Sequence, residues 1–408
     1  MTDYYSLDRL LRDLSAGHFD QAARDVAELE ALGDVRGALL GQLVLATRWH
    51  DGEQVRAIAA SPQAALLRQE PELHAMLARA LYWTNGIEMA AAELQAVCAS
   101  EGLPAEDKAR REICALAELA RLVSGKRLWE VEATGEGSVE LLKEQALPIF
   151  LASVNGLPAQ YFILDTGAPT SVLAKAYCDR VGIPYLAAHT HVTRDGAGNE
   201  VTLYPTLVDR VQVGGVAVRN WTANVIELPP NFRIGGILSP LDTFRNVSTE
   251  LDMREWKFRI YAGLSIEDWV TQVDEPVHST PLVWDDGNVF VRASANGRIN
   301  GWFLFDTGAG ANIVSPEVGQ FLREARLPEN AIKSATAGGT TLVFKGFDGE
   351  LAVGDSAPIK SNFMIKDRRP DPDAIAPLIS SGYIGIPWLL GRRLLLAPGG
   401  RQILFTEA

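Results

Sequence analysis

The chain has 408 residues, 47% hydrophobic and 22% charged, a balance that belongs to soluble globular domains and a length too great for one small core, so two or three domains are expected. A net charge of −13, from 51 acidic against 38 basic residues with no strong basic run, argues against nucleic acid or an anionic membrane surface as principal partner. The start, MTDYYSLDRLLRDL, has neither a basic n-region nor an apolar h-region, and no later apolar run is long enough to span a bilayer, so a cytoplasmic protein is expected.

Residues 1–125 read as a helical-hairpin domain, rich in Ala, Leu, Glu and Arg with apolar positions at helical spacing. Phe19, Ala22, Ala23, Val26 and Leu29 form one stripe. Leu73, Met76, Leu77, Ala80 and Leu81 form a second behind Pro71, and Ile113, Leu116, Ala120 and Val123 a third. Breaks near Gly17, Gly33, Asp51, Asn85 and Pro104 set antiparallel hairpins. The segment GHFDQAA at 17–23 resembles part of a tetratricopeptide repeat, although the other hairpins do not keep that consensus. Stacked hairpins of this kind either present a concave face to a protein partner or shield what they pack on. Cys98 and Cys114 fall in these helical patterns and, with Cys178, are few and odd in number, so all three are expected to be reduced, with burial in the core as their role.

From RLWEVEATGEGSVELL at 127–142 the texture changes to strands, turns and glycine, so a β domain starts at 126. It divides into lobes at 126–266 and 267–408, with about 263–281 expected to be a connector. An apolar run in the first lobe ends in Asp165-Thr166-Gly167-Ala168, and one in the second ends in Asp306-Thr307-Gly308-Ala309, 141 residues on. The register holds upstream, since Ala152, Ser153, Asn155, Gly156 and Phe162 meet Ala293, Ser294, Asn296, Gly297 and Phe303 without a gap, which marks an internal duplication. About thirty residues after each Asp lies a turn-rich hairpin: TRDGAGNEVT, with Gly196, Ala197 and Gly198 at its tip, and ATAGGTTLVF, with Ala337, Gly338 and Gly339. The second lobe's end, RRLLLAPGGRQILF, repeats the closing strand pair of the first, NVSTELDMREWKFRI.

A strand ending in Asp-Thr-Gly sets a carboxylate on a tight, exposed turn, and two such turns can face each other. Carboxyls within hydrogen-bonding reach cannot both ionise cheaply, so the pair holds one proton and supplies a base and an acid together. The aspartic proteases use this arrangement, and the chain resembles their retropepsin-like family, whose motif is an apolar strand, Asp-Thr-Gly-Ala, and later an apolar-apolar-Gly segment. That last element stands as Tyr383-Ile384-Gly385 in one copy and Ile237-Leu238-Ser239 in the other, so Ser239 departs from the pattern. The resemblance implies a bilobal, pepsin-like pair of β-barrels with Asp165 and Asp306 as the dyad. It also implies Thr166 and Thr307 hydrogen-bonding across the lobes, Gly167, Ala168, Gly308 and Ala309 shaping the loops, and a flap from each lobe over an extended peptide. Where pepsin-like enzymes often have a Ser or Thr donor, Ala168 and Ala309 donate nothing from the side chain, so the dyad is expected to titrate higher.

Other motifs do not lead to chemistry. Gly308-Ala309-Gly310 lacks the third glycine of a dinucleotide fingerprint, because Ile313 stands there. His189 and His191 lack a third ligand at metal spacing and read as a solvated loop, and Gly354-Asp355-Ser356 reads as a turn rather than a nucleophile motif. The expectation is therefore a multidomain α plus all-β protein that hydrolyses peptide bonds of protein or peptide substrates with dyad-activated water. No cofactor or metal is expected, and one chain suffices for the site. The competing reading is a noncatalytic peptide- or protein-binding adaptor built on an idle protease fold.

Overall fold

A computed structural model gives the fold and describes residues 2–104, 107–133, 137–143, 147–195, 199–229, 232–324, 329–335, 341–366, 375–397 and 401–408. The helical part comprises α1 (Thr2–Ala16), α2 (Phe19–Ala31), α3 (Val35–Arg48), α4 (Gly52–Ala60), α5 (Ala64–Arg68), α6 (Pro71–Asn85), α7 (Ile87–Ala99) and α8 (Lys108–Val123). Asp34, Asp51 and Asp107 begin α3, α4 and α8 by accepting the otherwise unpaired N–H groups of Gly37, Gln54 and Arg110. Phe19, Ala22, Val26 and Leu29 are buried as the spacing predicts, but Ala23 is exposed; the inward position is Asp25, whose charge is held by Arg9 at 3.0 Å. Met76 is only partly buried.

One expectation is overturned here. Cys98 and Cys114 form a disulfide, with their Cα atoms 5.0 Å apart, while Cys178 is a buried free thiol. Antiparallel packing of α7 on α8 brings together two side chains 16 residues apart in sequence, a juxtaposition that cysteine count and spacing do not reveal. Disulfides persist in oxidising compartments, so the cysteines no longer speak for a cytoplasmic protein. Among the described residues no helix is long and apolar enough to cross a membrane.

The first lobe runs β1 (Glu130–Ala133), β2 (Gly137–Glu140), β3 (Ile149–Val154), β4 (Gln160–Leu164), β5 (Val172–Ala174), α9 (Lys175–Val181), β6 (His191–Arg194), β7 (Glu200–Val213), β8 (Val216–Ile226), β9 (Gly236–Leu238), α10 (Pro240–Thr243), β10 (Ser248–Asp252) and β11 (Lys257–Tyr261). Then follow α11 (Ile266–Thr271), β12 (Val277–Pro281), β13 (Val283–Asp285), β14 (Asn288–Ala295), β15 (Ile299–Phe305), β16 (Asn312–Val314), α12 (Pro316–Glu324), β17 (Glu329–Ala335), β18 (Thr341–Val353), β19 (Ile359–Ile365), β20 (Gly382–Ile384), α13 (Ile386–Leu389), β21 (Arg393–Leu396) and β22 (Gln402–Thr406).

Each lobe closes a six-stranded barrel. The ring β3-β4-β9-β5-β8-β7 is sealed by β7 on β3, and its copy β14-β15-β20-β16-β19-β18 by β18 on β14. Both rings have the same strand directions, with β4–β9 and β5–β8 parallel like β15–β20 and β16–β19. Aromatic rings fill the interiors, among them Phe150, Phe162 and Trp221 in the first and Phe303, Phe347 and Phe363 in the second. The longer strands run on beyond each closed ring and pair there with β1, β6, β13 and β17.

A third sheet, β12-β22-β21-β10-β11-β2, belongs to both lobes and reads the same from either end. At its centre β10 runs antiparallel to β21, pairing Glu250 with Leu395. The supposed connector at 263–281 therefore contains α11 and the edge strand β12, which pairs with β22. Glu250 is fully buried there and accepts from Arg259 Nη1 at 2.6 Å, Arg393 Nη2 at 3.0 Å, Tyr261 Oη at 3.0 Å and Trp269 Nε1 at 2.6 Å. Four donors from both lobes and α11 make a buried charge tolerable and pin the lobes in register.

The helices pack on both lobes. On the second lobe, Trp302 Nε1 donates to the Gly17 carbonyl at 3.1 Å, its ring meets Phe19 at 5.4 Å, and Arg48 donates to the Trp284 and Ala376 carbonyls at 3.1 and 2.7 Å. His50 stacks on Trp284 at 4.4 Å, and burial lowers its imidazole to about 3, so it stays neutral in the interface. On the first lobe, α8 lies along β6 and β7.

Candidate active site

The apolar runs before each Asp-Thr-Gly become β4 and β15, and each pairs in parallel with the strand of the later apolar-apolar motif. That pairing ends at the carboxylates: Asp165 N–H donates to the Leu238 carbonyl at 3.0 Å and Asp306 N–H to the Ile384 carbonyl at 2.9 Å. The two loops meet between the barrels. Thr166 N–H donates to Thr307 Oγ1 at 3.0 Å and Thr166 Oγ1 to the Phe305 carbonyl at 2.7 Å. The reverse set is Thr307 N–H to Thr166 Oγ1 at 3.0 Å and Thr307 Oγ1 to the Leu164 carbonyl at 2.9 Å. Both threonines are buried, so four mutual bonds satisfy both side chains and fix one loop against the other.

This clasp sets the carboxylates face to face. A Cβ at Gly167 would lie 2.5 Å from Asp306 Cγ, and one at Gly308 would lie 2.5 Å from Asp165 Cγ, so each loop's glycine makes room for the other loop's carboxylate. Burial raises the Asp165 carboxyl above the ordinary carboxylate range, against the opposing pull of its hydrogen bond with the Asp306 side chain and of the Gly167, Ala168 and Gly308 N–H groups. Gly167 N–H reaches Asp165 Oδ1 at 2.8 Å. Ala168 contributes through its backbone, the one donor an alanine has. A pair so close in a shielded site holds a proton more readily than an isolated carboxylate does.

Behind the loops the lobes differ. In the second, Gly385 N–H donates to Asn312 Oδ1 at 2.8 Å, and a Cβ at Gly385 would lie 2.4 Å from the Ala311 carbonyl oxygen and 2.5 Å from that of Ala309. In the first, Ser239 N–H donates to Ser171 Oγ at 3.0 Å, Ser171 Oγ meets Thr243 Oγ1 at 2.7 Å, and Ser171 N–H donates to Asp242 Oδ2 at 3.0 Å. Ser239 is thus packed without a glycine, and its lobe still closes. Ser171 and Asn312 stand 141 residues apart, in the register of the duplication, but their types differ, so the sequence gives no hint that both brace the site.

Residues 151–239 match the family model described as aspartyl protease. The match begins in β3, contains Asp165 and ends at Ser239. No curated protein matches the chain. Among solved structures, an aspartic proteinase from Irpex lacteus has a TM-score of 0.43 at 10% identity, covering 67% of this chain and 97% of its own. Two closed barrels, a shared six-stranded sheet and one Asp-Thr-Gly loop from each barrel make a bilobal, pepsin-like aspartic protease fold behind an N-terminal helical region.

The strands flanking both flap candidates pair in the register of the duplication. Strands β6 and β7 pair from His191–Leu203 to Arg194–Glu200, and β17 and β18 from Glu329–Phe347 to Ala335–Thr341, so both lobes have the hairpin. Gly196, Ala197, Gly198, Ala337, Gly338 and Gly339 lie outside the described residues. His191 corrects another expectation: it is buried on β6, not part of a solvated loop, and burial with the nearby Lys108 lowers its imidazole to about 4. His189 is exposed, and Gly354-Asp355 forms the expected turn.

Proposed function

We propose that the protein is an aspartic endopeptidase with Asp165 and Asp306 as its catalytic dyad. The observation that carries this reading is the reciprocal fit of Gly167 against the Asp306 carboxylate and Gly308 against that of Asp165, which brings two carboxyls into one shielded site. With one proton between them, the ionised carboxyl takes a proton from water as it attacks the peptide carbonyl. The protonated partner donates to the carbonyl oxygen. Collapse of the tetrahedral intermediate breaks the C–N bond as a proton passes to the leaving amine. The threonine clasp holds the loops so that no reorganisation is needed during the reaction.

An extended polypeptide would lie beneath the β6–β7 and β17–β18 hairpins, adding backbone hydrogen bonds in the manner of an extra strand. Because α8 packs on β6 and β7, the helical region backs the first-lobe hairpin. Both carboxylates come from one chain, so specific activity on a peptide should not fall on dilution. The deciding experiment is incubation with a diverse peptide pool across pH, comparing the protein with its Asp165→Asn variant. Cleavage that the substitution removes supports the reading. A wild type that binds but never cleaves overturns it in favour of an adaptor.

A further inference from the structure

In the first lobe the ion pair of Asp242 with Arg245 joins the junction with the helical region to the back of the Asp165 loop, where the second lobe has the contact of Gly385 with Asn312. Asp242, 5% exposed in α10, accepts the Ser171 N–H at 3.0 Å and Arg245 Nη2 at 2.8 Å. Arg245 Nε also donates to the Asp242 carbonyl at 3.2 Å, so the guanidinium is fixed at two points. Its other side lies 3.8 Å over the ring of Trp129, which is itself buried at the junction between helices and barrel. The turn between α6 and α7 lies against both members of this stack. A Cβ at Gly86 would lie 3.6 Å from the Trp129 ring and 3.8 Å from Arg245 Nη1. At the other end, Ser171 Oγ receives Ser239 N–H, and Ser239 follows Leu238, whose carbonyl accepts Asp165 N–H. In the second lobe Asn312 and Gly385 close the equivalent contact directly.

From this asymmetry we infer that Asp242 and Arg245 are positioning residues for Asp165, and that the α6–α7 turn and Trp129 together set their position. The assignment rests on the dyad proposed above. Asp242 touches no reacting atom. It holds the backbone six residues beyond Asp165, and the planar guanidinium, fixed between a carboxylate and an indole face, transmits displacement of the helical turn into that backbone. Loosening the loop would weaken the N–H contacts from Gly167 and Ala168 that favour the ionised carboxyl.

The test uses the full chain and two readouts: peptide hydrolysis, and titration of the dyad by carbon NMR of aspartate labelled at Cγ, which needs no turnover. Asp242→Ala should lower kcat roughly ten- to a hundredfold with KM within about twofold, and should shift the dyad titration upward. Asp242→Asn keeps an oxygen for Ser171 N–H and should restore most of kcat. Arg245→Leu should act in the same direction as Asp242→Ala and stands in for it if that variant does not fold. Gly86→Ala should give a smaller shift of the same sign. Gly125→Ala, also at a positive φ (+76°) but with nothing within 4 Å, should give none. A folded Asp242→Ala or Arg245→Leu protein with wild-type titration and wild-type kcat overturns the assignment, as does a response to Gly125→Ala equal to that of Gly86→Ala for its helical part. If the wild type cleaves nothing yet the variants move the titration, the protease reading falls and the positioning role stands.

Discussion

The two lobes are copies in topology and in their carboxylate loops, yet they have solved the surrounding packing differently. On the outer face of the first barrel, Leu151 and Tyr161 sit opposite each other across β3 and β4, both more than 40% exposed. The equivalent pair on the second barrel is Arg292 and Trp302, and there the indole is buried under the α1–α2 turn with Arg292 over its ring. Behind the loops, serines and a carboxylate in one lobe stand against an asparagine and a glycine in the other. The copies share the carboxylate loops, the strand register and the Asn-Gly turns at 155 and 296, where Asn155 and Asn296 accept the Arg210 and Glu350 N–H groups alike. The contacts behind the loops and on this outer face have diverged with their neighbours.

The shared part should give the largest effect and a symmetrical one. Asp165→Asn and Asp306→Asn are each expected to reduce peptide cleavage by about 10³-fold or more, because a single amide cannot replace the shared proton, while circular dichroism stays that of the wild type. Equal losses would show one site built by both lobes. Substantial turnover by either variant would show that the two loops are equivalent only in sequence.

The diverged outer faces should separate sharply. Trp302→Ala removes a buried indole, its bond to Gly17 and its contact with Phe19, and should cost about 3–5 kcal/mol in denaturant unfolding. Tyr161→Ala, at the matching position, removes an exposed ring and should cost about 0.5 kcal/mol. By the same reasoning a fragment lacking residues 1–124 would expose Trp302 and Trp284 and is expected to aggregate rather than behave as free lobes. Similar costs for the two substitutions would mean that the helices add little to the second lobe.

The parts legible in the sequence are those fixed by short-range chemistry. Asp-Thr-Gly at the end of an apolar run gave the loops, the 141-residue register gave the duplication, and helical spacing gave α2, α6 and α8. Contacts between distant segments were not legible. Cys98 meeting Cys114, His191 buried under α8, the edge strand β12 inside an apparent linker and Asp242 reaching Ser171 all depend on how finished elements pack. Ser239 shows the limit most clearly: it looks like a lost glycine until Ser171 is seen beside it.

That reading of Ser239 can be tested by exchange. Gly385→Ser should cost about 1–3 kcal/mol, since its Cβ meets two carbonyl oxygens held by the barrel, whereas Ser239→Gly should cost about 0.5–1 kcal/mol through backbone entropy alone. Thermal unfolding measures both. Equal tolerance would remove the argument that the lobes are braced differently.

The smallest effect concerns the shared proton, where the lobes should again become indistinguishable. Ala168→Ser or Ala309→Ser places a hydroxyl beside its own carboxylate and favours the ionised form, so the acid limb of the pH–rate profile should move down by about 0.5–1 unit. Because the pair titrates as a unit, either substitution should move the same limb by a similar amount, although the hydroxyls lie in different lobes. Stability carries the same sign. Folding raises the Asp165 carboxyl, so its favourable contribution is complete below the unfolded value and is lost as pH rises through the folded one. A serine that lowers the folded value narrows that window, and the variants should lose less stability than the wild type between acid and neutral pH. Unequal shifts from the two serines would show that the proton resides on one carboxyl, and would name the lobe that holds it.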